Sequence, residues 1–138
     1  MDCIFCKIIA GEIPAEKVYE DADTLAFLDI KPANPGHVLV IPKRHSRNLL
    51  DIPENEWLDV MKTVRRLAPI VKKATGAPGI NLSMNNEPAA HQIVFHAHVH
   101  IIPRFEGDAH KPWAQREYTG DEAKEVAEKI RDTLIKNT

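Results

Sequence analysis

His96-Ala97-His98-Val99-His100 alternates imidazole with apolar side chains, and this period of two restricts the fold more than any other feature of the chain. In a strand, successive side chains point to opposite faces. The three histidines then share one face, and Phe95, Ala97, Val99 and Ile101 take the other. One face is expected to be core and the other a site. At ~3.3 Å per residue, His96 and His100 lie roughly 13 Å apart along the backbone, too far to share one ion. Adjacent pairs could share a metal, so a metalloenzyme using His98 and His100 is one reading. The better use of the spacing is division of labour, with a central nucleophile and a partner on either side. Neutral imidazole attacks phosphorus and leaves again when protonated, which splits one displacement into two.

The rest of the chain supplies partners for such a strand. Val18 to Glu20, Thr24 to Ile30 and His37 to Ile41 are rich in β-branched and aromatic residues, with turn residues between them, and the first two suggest a hairpin. Gly79 to Asn85 reads as a fourth strand, and Ile93 to Pro103 as its antiparallel neighbour. Between the third and fourth strands Trp57, Leu58, Met61, Val64, Leu67, Ala68 and Val71 recur at helical spacing, predicting a helix over 54–74 that Gly76 ends and Pro69 bends. Cys3 to Ala10 makes at most a helical turn, and Asp121 to Ile135 predicts a C-terminal helix closing the domain. Strands and helices without regular βαβ alternation argue for an α+β fold. Its mainly antiparallel five-stranded sheet carries one long central helix and the C-terminal helix.

With 138 residues, 43% of them hydrophobic, the chain suits a single domain over 1–138. A net charge of -2 gives no bulk electrostatic reason to expect nucleic acid or an anionic membrane as partner. Any anion must be captured locally. No apolar run approaches the ~18 residues of a membrane span, and the expected setting is cytoplasmic. The cysteines stand in Cys3-x-x-Cys6, a spacing that zinc sites use, although one pair is half of a tetrahedral set. A redox pair and two packed, inert thiols are the other readings.

The segment His96-Ala-His-Val-His-Ile-Ile102 resembles the His-φ-His-φ-His-φ-φ signature of the histidine triad (HIT) family, where φ is apolar. Further blocks follow the family's order: Cys3 to Pro14, Phe27-Leu-Asp-Ile30, His37 to His45, and Asn85 to Arg104. The resemblance is to the branch of nucleoside phosphoramidate and dinucleoside polyphosphate hydrolases. It implies a purine nucleotide as small-molecule substrate and reaction at the α-phosphate through a covalent nucleotidyl-histidine.

Position by position, the resemblance makes His98 the nucleophile, with His100 and His37 beside it at the phosphate and the leaving group. Gln92 would contact phosphate or the leaving group, and Asn85 the phosphate or ribose. Asp29 would accept the ribose hydroxyls, and Ile4, Phe5, Ile8, Phe27 and Ile30 would wall the base. Structural zinc is implied on Cys3, Cys6, His45 and His96, no catalytic metal is required, and the long helix with its neighbouring strand would pair two chains as a homodimer. Members of the branch often have Gly before the glutamine and Ser or Thr after it, where this chain has His91 and Ile93. Those two positions bear on leaving-group preference and rate. A nucleotide-binding regulator with little turnover is the alternative, against which the presence of His37, His98 and His100 argues.

Overall fold

The computed structural model describes residues 2–137 and separates two compact units, Met1–Asp108 and Ala109–Thr138. The first unit runs α1 (Ile4–Ile9), β1 (Lys17–Glu20), β2 (Thr24–Leu28), β3 (Val38–Pro42), α2 (Glu54–Thr75), β4 (Gly79–Ser83) and β5 (Val99–Arg104). A short 3-10 turn, Pro88–Ala90, lies between β4 and β5. The five strands form one sheet in the order β1-β2-β3-β5-β4, and every neighbouring pair is antiparallel. This is the expected α+β architecture.

The β1–β2 connection is tight because Asp21 Oδ1 accepts from the backbone N–H groups of Asp23 and Thr24, at 2.8 and 2.7 Å. Helix α2 starts after Pro53, with Glu54 and Glu56 in its first turn, and ends at Gly76 in the left-handed region. Both ends suit the helix dipole and the αL cap. Pro69 lies inside the helix, which continues six residues beyond it to Thr75.

Alternation along β2 and β3 divides the unit into two layers of core. Ala26, Val38 and Val40 face α2 and pack with Val60, Val64, Leu67, Val71, Val99 and Ile101. Leu25, Phe27, Leu39 and Ile41 face the other way, against Cys3, Phe5 and Ile8 of the α1 region. The sheet is therefore buried on both sides at its centre, and truncating fully buried Ile101 to alanine would cost roughly 2–5 kcal/mol. His100 sits opposite Leu39 in the β3–β5 register, which places it on the α1 side.

The histidine segment departs from the sequence expectation in one respect: the ladder of β5 begins at Val99, so His96 and His98 precede it. The β3–β5 register pairs Val40 with Val99, and continuing it would set Pro42 against Ala97. Pro42 has no N–H to offer, so the pairing stops there. Residues 92–98 are held by other means, described below.

The second unit contains α3 (Glu122–Lys136), which has no buried residue. Its apolar positions Val126, Ile130 and Leu134 recur every four residues and are exposed. Among the described residues no helix is long and apolar enough to cross a membrane.

Candidate functional site: a histidine cleft beside a thiol–imidazole cluster

A cleft of about 420 Å³ opens on the α1 side of the sheet. Ile4, Phe5, Ile8, Phe27 and Ile30 line its apolar part, and Asp29, Asn85, His98 and His100 supply its polar groups. Phe5 is central to the wall. Its ring meets Phe27 edge-on at 5.4 Å between centroids and His98 at 5.1 Å. Ile8 is buried, whereas Ile30 is 87% exposed at the rim. Asp29 accepts from the N–H of Lys31 through Oδ1, at 2.9 Å, which fixes its carboxylate at the cleft wall.

The backbone sets the tautomers of the histidines. His98 Nδ1 lies 2.7 Å from the carbonyl oxygen of His96, and a carbonyl can only accept. The proton of neutral His98 is therefore on Nδ1, and Nε2 carries a lone pair. The Ala33 N–H donates to His37 Nδ1 at 2.9 Å, so the proton of neutral His37 is on Nε2. That nitrogen lies 2.8 Å from His100 Nδ1, which must accept, leaving His100 with its N–H on Nε2. His37 itself is buried behind His100 and does not line the cleft.

Burial lowers the pKa of His98 and of His100. His100 is pushed down to about 4, first by desolvation and then by the neighbouring His98 and His37, with Asp29 opposing the shift. His98 is lowered as well, again chiefly by burial, against its bond to the His96 carbonyl and the charge of Asp29. A neutral His98 with a lone pair on Nε2, next to a neutral N–H donor, is the state in which imidazole attacks an electrophile.

Gln92 is placed differently from the sequence expectation. Its Nε2 donates to the carbonyls of Arg47 and Val94 at 2.7 and 3.1 Å, and its Oε1 accepts from Asn48 Nδ2 and the Glu87 N–H at 3.0 and 2.8 Å. Both donors and both lone pairs are thus engaged by protein, as a buried amide requires, and Gln92 does not line the cleft. In this conformation it braces the segment before the triad and makes no polar group available to phosphate. His91 and Ile93, on either side, do reach the cleft, and Ile93 is 84% exposed.

Next to the cleft, Cys3, Cys6, His45 and His96 bring four ligand atoms within 4.8 Å of one another. Cys3 Sγ and His96 Nδ1 are 3.4 Å apart, Cys6 Sγ and His45 Nδ1 3.4 Å, and Cys6 Sγ and His96 Nδ1 3.6 Å. A tetrahedral ion with Zn–S near 2.3 Å and Zn–N near 2.05 Å separates sulfur from nitrogen by roughly 3.5 Å, so the set fits such an ion. His96 is fully buried, and its Nε2 donates to the Pro42 carbonyl at 2.7 Å, which leaves the Nδ1 lone pair for the cluster. The Cys6 thiol is pushed up to about 11 by burial and by Cys3, the behaviour of a thiol pair that a cation would reverse. These four residues could hold a metal. Asp29, His37 and His100 form a second close group, in which His37 Nε2 and His100 Nδ1 are hydrogen-bonded to each other.

Sequence reasoning named every residue of the thiol–imidazole cluster and about half of the residues that line the cleft. It missed Arg47, Asn48 and Glu87, which hold Gln92 and one another. No local pattern marks them, because their partners are about forty residues away in sequence.

Known proteins resemble the chain over most of its length. The HIT domain family model matches residues 10–107. An uncharacterized HIT-like protein of Methanocaldococcus jannaschii is 52% identical over 106 residues, covering 77% of this chain and 81% of that protein. An adenosine 5′-monophosphoramidase of Candida albicans is 44% identical over 106 residues, covering 74% of this chain and 70% of that protein. Among solved structures, a Streptococcus mutans protein superposes with a TM-score of 0.91 at 46% identity, covering 96% of this chain and 85% of that one. A zinc-bound histidine triad protein of Mycobacterium smegmatis does so with a TM-score of 0.75 at 35% identity, covering 97% and 98%. The extent of the family match and the identity to these relatives establish that the chain belongs to the HIT family.

Proposed function

We propose that the protein is a nucleotide hydrolase or transferase acting at the α-phosphate of nucleoside phosphoramidates or dinucleoside polyphosphates. The observation that carries this reading is the tautomer of His98: Nδ1–H is tied to the His96 carbonyl, and the Nε2 lone pair belongs to a residue lining the cleft. A relative named as an adenosine 5′-monophosphoramidase supports the substrate class. In the first step His98 Nε2 forms a bond to phosphorus, and the bond from phosphorus to the leaving nitrogen or oxygen breaks with its electron pair, which takes up a proton from solvent. The oxygen of a water molecule then bonds to phosphorus, the N–P electron pair returns to Nε2, and the proton of that water passes to solvent. His100 Nε2–H donates to the oxygens on which charge develops, and His37 holds His100 in that tautomer. Asp29 takes the ribose hydroxyls, Asn85 the phosphate or ribose end, and the Phe5–Phe27 wall a purine base.

In the same reading Cys3, Cys6, His45 and His96 hold a structural zinc, which when bound would tie α1 to the segment ahead of β5. The reaction as drawn runs on imidazole alone. Two chains pair as a homodimer through α2 and the edge strand β4, where Leu58, Ile70 and Leu82 are each about half exposed. The two cysteines form no disulfide, which accords with a cytoplasmic setting. The test is turnover of adenosine 5′-phosphoramidate by the wild type and by His98→Ala. Product formation by the first alone supports the reading, and equal rates refute it.

A further inference from the structure

We infer that Arg47 and Glu87 form a clamp that aims His98, an inference that rests on the reading of His98 as the nucleophile. Because the β5 ladder starts at Val99, the nucleophile and the carbonyl that fixes its tautomer lie in a segment without strand pairing. Residues 45–48 take over that task. The Ala97 N–H donates to the Ser46 carbonyl at 2.8 Å, and Gln92 ties the Arg47 carbonyl to that of Val94. The Arg47 guanidinium lies over the Phe95 ring, 4.4 Å from its centroid, one residue before His96.

Glu87 completes the clamp from the opposite side. Its carboxylate accepts from Arg47 Nε and Nη2 at 2.8 and 3.1 Å, in a two-point fork, and also from Asn48 Nδ2. Its own N–H donates to Gln92 Oε1. Glu87 adopts φ 78° and ψ 156°, a region otherwise left to glycine, and His91 follows at φ 68°. A side chain persists in that conformation only where its surroundings fix it, and here the fork and the amide do so. Asp51 accepts from the N–H groups of Arg47 and Asn48 and anchors the clamp to the loop before α2.

Arg47 and Glu87 are both substantially exposed at their side chains, and an ion pair of this kind adds little to global stability. The clamp therefore acts locally, as positioning residues and not as catalytic ones. Loss of the fork and of the ring stack would let Phe95 and the His96 carbonyl shift, and with them the Nδ1–H bond of His98. Lysine at position 47 would keep the charge but neither the fork nor the planar stack.

The experiment compares wild type with Arg47→Ala, Arg47→Lys and Glu87→Gln in the zinc-loaded protein. Nitrogen-detected NMR of the His98 ring is recorded together with steady-state kinetics on adenosine 5′-phosphoramidate and thermal melting. We expect kcat to fall about ten- to hundredfold in Arg47→Ala, with KM changed less than about twofold and a melting temperature close to wild type. Glu87→Gln should fall in the same direction, and Arg47→Lys should recover part of the loss. In wild type the His98 proton resides on Nδ1, and in Arg47→Ala the Nε2–H tautomer becomes populated. An unchanged His98 tautomer in Arg47→Ala overturns the clamp, as does a loss of kcat matched by an equally low melting temperature in all three variants. The tautomer is read in the free protein, so failure of the nucleophile assignment, shown by an active His98→Ala, is distinguishable from failure of the clamp.

Discussion

His98 Nδ1 donates to the carbonyl oxygen of His96, two residues away, at 2.7 Å. That bond connects the two sites of the molecule, because the ring of His96 belongs to the thiol–imidazole cluster while its carbonyl sets the tautomer of the residue in the cleft. In the proposed reading the outer triad histidine serves structure with its ring and chemistry with its backbone.

Asp29 is the one carboxylate among the polar groups of the cleft, so its removal should weaken binding more than chemistry. Hydrogen bonds to a charged group contribute about 1.5–3 kcal/mol, and Asp29→Ala should raise KM about tenfold to a hundredfold while kcat falls less. Steady-state kinetics with ribo- and 2′,3′-dideoxyribonucleotide substrates checks this. Equal discrimination between the two substrates in wild type and variant would remove the ribose role.

One zinc per chain is expected on Cys3, Cys6, His45 and His96, with a contribution to stability more than to the reaction. Elemental analysis should give one equivalent, and strong chelators should lower the melting temperature by several degrees. Protein that is free of zinc yet folds with the same melting temperature would contradict an obligatory structural role.

The pH dependence of stability follows from His100, whose pKa lies at about 4 in the fold against 6.5 for the free side chain. Between those values the unfolded chain binds the proton more readily, so this residue makes stability fall as pH drops from 6.5 towards 4, with no further loss below. Denaturant midpoints at pH 7 and pH 5 should therefore differ more for wild type than for His100→Gln. An equal difference in the two proteins would show that His100 is not held neutral.

Much of this was legible in the sequence because the features are local in pattern. The alternation of His96, His98 and His100 gave their shared face, the spacing of Val64, Leu67 and Val71 gave the buried face of α2, and Gly76 marked the helix end. Two things were not legible. The ladder stops at Val99 because of Pro42, which comes from a strand nearly sixty residues earlier. Gln92 is turned inward by Asn48 and Glu87, and the competition between a substrate phosphate and distant protein groups for one amide leaves no mark in local residue order.

Pairing through α2 and β4 predicts a dimer in solution, since Leu58, Ile70 and Leu82 are exposed in the isolated chain and β4 ends the sheet. Sedimentation at low micromolar concentration should give about twice the chain mass of 15.5 kDa. Replacing Leu82 by lysine should shift it towards monomer, and a wild-type monomer would refute the interface.

The central claim is a covalent bond between His98 and the nucleotide, and it is tested most directly by intact-protein mass spectrometry. Protein mixed with adenosine 5′-phosphoramidate and quenched within milliseconds in mild alkali, where N–P bonds survive, should gain the mass of one adenylyl group, which peptide mapping then places on the segment containing His98. His98→Ala should carry none and should retain its fold. An unmodified wild-type protein that turns over substrate at full rate, or an adenylyl group that persists in His98→Ala, would contradict the account.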